Sequence, residues 1–153
     1  MIEDWHPEPL GFVRSPRLEP LDDGWGAVVA TIDLDPSRLE PTATAGLDAF
    51  SHIEVVFVFH RATSEQTGAR RPRGNPDWPE VGILAQRGKG RPNRIGVTTC
   101  ELRDVSGLRV TVAGLDAIDG TPVLDIKPYL AEFGPRGPVR QPDWSHDLMR
   151  QYW

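Results

Sequence analysis

An all-β fold, a small closed β-barrel with short added helices, is what this sequence predicts, on three observations. The apolar runs are short and rich in β-branched residues. Fifteen Pro and fifteen Gly punctuate 153 residues, and both residue types interrupt helices and mark turns. No helix-like pattern lasts beyond about two turns before such a breaker, whereas six or more strand-like runs can be counted, the pattern of a closed sheet carrying small helices. The length suits one compact domain, residues 1–153, with a single core.

Gly11 to Ser15 and Ala27 to Asp33 read as two strands joined across Pro20 and Asp22-Asp23-Gly24. Thr44 to Phe50 has helix-like spacing of Ala and Leu but holds barely two turns, so a short connecting helix is expected. Ile53 to Phe59 reads as a buried strand, mostly apolar on both faces. Residues 61–80 carry Gly68, Pro72, Gly74, Asn75-Pro76-Asp77 and Trp78-Pro79 without hydrophobic period, which predicts a long loop, a candidate lid or binding loop. Val81 to Gln86 resumes as a strand before the Gly88–Asn93 turn. Ile95 to Val105 and Leu108 to Leu115 then form a hairpin around Ser106-Gly107. Thr121 to Ile126 is a last strand, and Ser145 to Tyr152 a short helix with Ser145 as N-cap.

Charge and composition exclude several classes. The first residues are acidic and polar where an export signal needs a basic start and an apolar run. The longest apolar stretch, Ile53 to Phe59, is interrupted by Glu54 and far too short to span a bilayer, so a soluble, cytoplasmic protein without membrane attachment is expected. Cys100 is the only cysteine, which rules out an internal disulfide or a Cys-based zinc site and leaves core filling. The four histidines, 6, 52, 60 and 146, show no i,i+4 pair, and no metal site is expected. The net charge of −5 opposes nucleic-acid binding. Its distribution is uneven, however: residues 61–94 hold eight Lys or Arg against three Asp or Glu, while residues 1–60 hold three against eleven. Arg70, Arg71, Arg73, Arg87, Lys89, Arg91 and Arg94 could meet phosphates or a carboxylate ligand, or could form a solvated face paired with the acidic first third.

Gly88-Lys89-Gly90 lacks the second Gly-Lys-Ser/Thr element and precedes a strand rather than a helix, so it is no Walker loop. There is also no Gly-x-Gly-x-x-Gly opening a helix, and the doubly wound dinucleotide scaffold is unsupported. His60 ends a strand, where it serves either as a strand-end hydrogen-bonding residue or as a site residue.

Four segments are more specific: Gly11-Phe12-Val13-Arg14-Ser15-Pro16, Leu47-Asp48-Ala49-Phe50-Ser51-His52, Arg91-Pro92-Asn93-Arg94-Ile95-Gly96-Val97, and Gly114-Leu115-Asp116-Ala117-Ile118-Asp119-Gly120-Thr121-Pro122-Val123 with its continuation to Tyr129. In order, and covering most of the chain, these segments resemble the motifs of the TrmO/TsaA-like methyltransferases. The resemblance implies a β-barrel homodimer that binds S-adenosylmethionine near the subunit interface and methylates the exocyclic amine of threonylcarbamoyl-adenosine beside the tRNA anticodon. It implies donor contacts at His60, Arg61, Arg87, Val97, Gly114, Leu115, Asp116 and Ala117, with Arg87 pairing the methionine carboxylate. Asp116, Asp119 and Tyr129 are candidate acceptors for the amine's proton; alternatively Asp116 and Asp119 cap a turn, and Asp125 pairs with Lys127. Where many relatives carry a Pro-Arg-Gln-like segment, this chain has Glu19-Pro20-Leu21-Asp22-Asp23-Gly24-Trp25-Gly26. Exposed-looking Trp144, Tyr152 and Trp153 fit a dimer surface. Two other functions remain open: a small-molecule methyltransferase of the same fold, and a non-catalytic donor-binding regulator.

Overall fold

The structure is a computed structural model that describes residues 4–153. Its strands are β1 (Gly11–Arg14), β2 (Val29–Leu34), β3 (His52–Val58), β4 (Ala69–Arg70), β5 (Val81–Gly82), β6 (Ile95–Ser106), β7 (Arg109–Ala113) and β8 (Pro122–Pro128). Six of them close into an antiparallel barrel in the order β1-β2-β7-β6-β3-β8, and β4 pairs with β5 alone. One α-helix, α1, spans Asp143–Met149. No helix among the described residues is long and apolar enough to cross a membrane.

Period-two alternation builds the interior. Inward-facing Val13, Ile32, Ile53, Val55, Phe57, Val110, Val112 and Val123 are fully or almost fully buried, while their strand neighbours point outward. Strand β6 is long enough to serve two partners. Ile95 to Glu101 pair with β3, and Glu101 to Ser106 pair with β7 across an irregularity between Leu102 and Asp104. Such an irregularity bends a strand and helps a small sheet curl onto itself. Directly opposite Phe57 on β3 stands Gly96 on β6. A Cβ at residue 96 would lie 2.6 Å from two atoms of the Phe57 ring, so the largest core side chain occupies the space that glycine leaves. The barrel closes between β1 and β8 through two residue pairs, Gly11 with Val123 and Phe12 with Pro122.

The expected strands around residues 11–15, 27–33, 53–59, 95–105, 108–115 and 121–126 are present, with ends shifted by one or two residues. The hairpin turns through Gly107, whose φ of 59° suits glycine. Three expectations need correction. Val81 to Gln86 is a two-residue strand followed by a 3₁₀ turn over Ile83–Ala85, because only Ile83 reaches the core while Leu84 is 83% exposed. The short helix expected over Thr44 to Phe50 is split in two: 3₁₀ turns form at Pro41–Thr44 and Leu47–Ala49, separated by Gly46 at φ 83°. Helix α1 begins at Asp143, not Ser145, and the Ser145 hydroxyl donates to the Pro142 carbonyl at 2.6 Å instead of capping an N–H. The expected lid, residues 61–80, is pinned by the β4–β5 pair and by the Gln86 amide, which donates to the Arg70 and Val81 carbonyls at 2.9 Å each.

Two outcomes follow. Gly96→Ala should destabilise by about 1–3 kcal/mol, since the added methyl overpacks the Phe57 contact; urea unfolding reads this. Cys100 is 2% exposed, and burial first, then the charge of Asp116, pushes its thiol up to about 12 from an ordinary 9.0. The folded state therefore holds a proton that the unfolded chain releases above pH 9, so this group's stabilisation is complete below pH 9 and is lost between about pH 9 and 12. Between pH 8 and 10.5 wild type should lose roughly 2 kcal/mol more than Cys100→Ala, and the native thiol should resist alkylation at pH 8.

Candidate active site

Inward-facing positions of β6 continue from Gly96 to Thr98, a buried polar residue among apolar neighbours. Its hydroxyl donates to Asp116 Oδ1, and the Tyr152 hydroxyl donates to Asp116 Oδ2. Asp116 lies in the turn after β7, where Gly114 at φ 78° reverses the chain and its N–H donates to the Val28 carbonyl at 3.0 Å. Leu115 and Ala117 point into the core and anchor the turn. The backbone N–H groups of Leu115, Asp116 and Ala117 find no hydrogen-bond partner among the described residues, and unsatisfied donors beside a core mark a place where a ligand can bind.

Val97 faces outward, 43% exposed, and its carbonyl accepts from Arg87 Nη2 at 2.7 Å. That single bond fixes an exposed guanidinium which retains further donors for a carboxylate. Arg87, Val97 and the Gly114–Ala117 turn thus meet through Thr98 and Tyr152. The phenol of Tyr152 is pushed above its ordinary 10.0, by burial first and then by the charge and hydrogen bond of Asp116, while Arg87 and Arg73 act in the opposite direction. Tyr152 therefore stays protonated and donates.

His60, Arg61 and Asp119 form a second group at the end of β1. A Cβ on Gly120 would stand 3.9 Å from His60 Nε2. Arg61 donates to the Leu18 carbonyl at 2.9 Å and pairs with Glu19 at 3.4 Å. Asp119 accepts from the Ser15 N–H through Oδ1 at 3.1 Å, and its own N–H donates to the Arg17 carbonyl at 2.8 Å. The cap-like reading thus describes Asp119 better than Asp116, whose carboxylate serves two hydroxyls. The Asp125–Lys127 pair is present at 3.2 Å. Tyr129 sits at the far end of β3, its N–H on the His52 carbonyl at 3.0 Å, and among the described residues it has no hydrogen bond to Asp116 or Asp119.

The loop from Ser15 to Gly26 joins the two groups. Arg73 reaches Asp23 at 2.9 Å and Asp22 at 3.9 Å, and Lys89 reaches Asp22 at 3.8 Å. Arg17 stacks over buried Trp25, 4.5 Å from its ring centroid. Arg17 Nη2 donates to the Asp23 and Gly24 carbonyls, while its Nη1 is buried without a partner among the described residues. Arg73 and Lys89 of the basic middle segment are therefore paired with the acidic rim loop. Sequence reasoning missed Thr98 and Tyr152 as site residues. The alternation of β6 could have flagged Thr98, a hydroxyl at an inward position, but no spacing signals a contact between residues 116 and 152. Tyr152 and Trp144, expected as exposed dimer aromatics, are both half-buried; Trp153 is 57% exposed. No group of His, Cys, Asp and Glu side chains suited to a metal ion occurs among the described residues.

Comparison with known proteins identifies the family of the chain. The tRNA-methyltransferase O N-terminal domain matches residues 14–134. A tRNA (adenine(37)-N6)-methyltransferase of Mus musculus is 42% identical over 132 residues, covering 86% of this chain and 30% of the mouse protein. Its Escherichia coli counterpart by name is 35% identical over 136 residues, covering 80% and 57%. A Methanothermobacter thermautotrophicus protein named probable S-adenosyl-L-methionine-binding protein is 37% identical over 134 residues, covering 84% and 93%. The crystal structure of TrmO from Pseudomonas aeruginosa superposes with a TM-score of 0.72 at 30% identity, over 90% of this chain and 61% of that one. The chain spans less than a third of the mouse relative and little more than half of the bacterial one. With the domain match running through the barrel and the Asp116 turn, the chain belongs to the tRNA-methyltransferase O N-terminal domain family.

Proposed function

We propose that this protein binds S-adenosylmethionine and transfers its methyl group to the N6 amine of threonylcarbamoyl-adenosine next to the tRNA anticodon. The observation that carries the reading is the meeting of Arg87, Val97 and the Leu115–Ala117 turn at one place on the barrel. The residues fit the donor. Arg87 offers a planar fork to an α-carboxylate, the unpartnered N–H groups of the turn suit the acceptor atoms of an adenine edge, and the half-buried carboxylates suit ribose hydroxyls. When bound, the donor supplies an electrophilic sulfonium methyl.

The chain's own part is to orient and to exclude water. A nitrogen lone pair would attack the methyl in line while the sulfur–methyl bond breaks and its electron pair returns to sulfur, leaving a neutral thioether, so alignment would supply much of the rate and no covalent protein intermediate is needed. The amine must lose a proton. Both oxygens of Asp116 already accept hydroxyl protons, whereas Asp119 Oδ2 has no partner among the described residues and lies one residue from Gly120, against which His60 rests. Of the three candidates Asp119 is therefore the best placed acceptor. A small-molecule acceptor is the second reading, favoured by the pairing of Arg61, Arg73 and Lys89 with Glu19, Asp22 and Asp23, which consumes charge that RNA phosphates would use. Pure donor binding without transfer is the remaining alternative, in line with the name of the Methanothermobacter relative, 93% of which the match covers.

The protein is proposed to act as a cytoplasmic homodimer through the outward face of β3 and β6. Half-buried Val56 and Val58 stand opposite exposed Val97 and Ile95, an apolar quartet beside the donor turn.

Cofactor-free protein titrated calorimetrically with S-adenosylmethionine should bind, and tRNA nucleosides from cells lacking the gene should lose the methylated form. Unchanged nucleosides with intact donor binding would favour the second reading. Arg87→Ala should weaken donor binding about ten- to a hundredfold, the range for hydrogen bonds to charged groups, with partial recovery in Arg87→Lys. In light scattering at micromolar concentration, Ile95→Glu should convert a dimer to a monomer.

A further inference from the structure

The residues matched by the family domain end at 134, yet the chain returns to the site through residues 151–153. The Gly24 and Trp25 N–H groups donate to the Gln151 and Tyr152 carbonyls at 3.0 and 2.8 Å, which ties the turn that follows α1 to the rim loop. Gly26 permits the approach, since a Cβ there would stand 2.7 Å from the Trp153 carbonyl carbon. The Tyr152 ring is thereby inserted beside the Asp116 turn, edge to face with Trp153 at 4.8 Å between centroids, and its hydroxyl meets Asp116 Oδ2.

We propose that Tyr152 is a positioning residue of the donor site: together with Thr98 it clamps the Asp116 carboxylate from both sides and so fixes the turn that presents the Leu115–Ala117 N–H groups. This rests on reading that turn as the donor's seat. A carboxylate held at one oxygen can rotate about its Cβ–Cγ bond, whereas one held at both oxygens by rigid, packed donors cannot, and a ligand then binds without ordering the turn first. Tyr152 suits the task because its ring is locked by Trp153 and the rim loop, and because Arg87, the other donor-facing group, lies close enough for its charge to act on the phenol. The segment therefore forms a wall of the cleft.

The test is calorimetric titration of S-adenosylmethionine into wild type, Tyr152→Phe, Asp116→Asn and the double variant, with melting temperatures measured alongside. Tyr152→Phe keeps the ring and should melt within about 4 °C of wild type, yet bind the donor about tenfold more weakly. The double variant should bind no more weakly than Asp116→Asn alone, because the two groups act as one unit. With an acceptor, the loss should appear in the donor KM while kcat at saturation stays within about twofold, a split that a fold defect would not produce. Thr98→Val removes the opposite hydroxyl at nearly constant shape and should weaken donor binding in the same non-additive way, which keeps the test open should Tyr152→Phe fail to fold. Unchanged affinity in Tyr152→Phe, or additive losses, would overturn the proposal. Tighter binding would overturn it too, since the segment would then obstruct the cleft. Absence of donor binding by wild type is a different failure, that of the functional reading itself.

Discussion

Phe57 fills the barrel because residue 96, directly across from it, has no side chain. This one fit fixes the register of β3 against β6, since a slip of one residue would turn Val97 inward against the ring and invert every side chain beyond it. From that register the site follows. Val97 faces out with its carbonyl offered to Arg87, Thr98 faces in beneath Asp116, and Cys100 faces in as core. The geometry of the Arg87, Thr98 and Asp116 cluster is thus an outcome of packing, which explains why a barrel with so small an interior can carry a polar cluster on its wall.

Electrostatics then shapes the rim. Asp22, Asp23 and Glu19 draw in Arg73, Lys89 and Arg61, each an exposed or half-exposed pair of small individual worth. Their joint effect is geometric. The acidic loop is held against the basic excursion 61–94, and the carbonyls of residues 23 and 24 hold Arg17 over Trp25. Three of the eight mid-chain cations, Arg61, Arg73 and Lys89, are matched by Glu19, Asp22 and Asp23, so part of the positive excess visible in the sequence is met within the molecule.

The barrel was legible in the sequence because alternation and turn residues are local signals. Runs such as 53–59 and 95–105 carry their inward residues at every second position, and Ser106-Gly107 marks the hairpin. Val81 to Gln86 misled because Ile83, Leu84 and Ala85 look like a strand in one dimension, although only Ile83 finds core to pack against. Helix α1 was misplaced by two residues because Ser145 has the chemistry of an N-cap but spends its hydroxyl on a carbonyl. Within the site, Arg87, Val97 and Asp116 were reached through family resemblance, and the structure brings them to one place. Tyr152 was assigned to the surface instead, since its role depends on a contact across 36 residues of chain that no local pattern encodes. Tyr129, a candidate proton acceptor beside Asp116 and Asp119, is carried by strand β8 to the opposite end of β3.

The narrow seam between β1 and β8 bears on motion. Most neighbouring strands share four or more residue pairs, but here two pairs complete the ring, helped by flanking bonds from Leu10 to Val123, from Val13 to Thr121 and from Gly120 to Val13. Amide exchange that proceeds by partial opening will use the least cooperative join first, and this join leads on one side to Ser15 and on the other to Asp119 and Gly120. Breathing of the barrel and rearrangement of the rim at Ser15 and Asp119 are for that reason one event, so a ligand that ties residues 114–119 together will slow exchange at Val13 and Val123, far inside the wall it never touches.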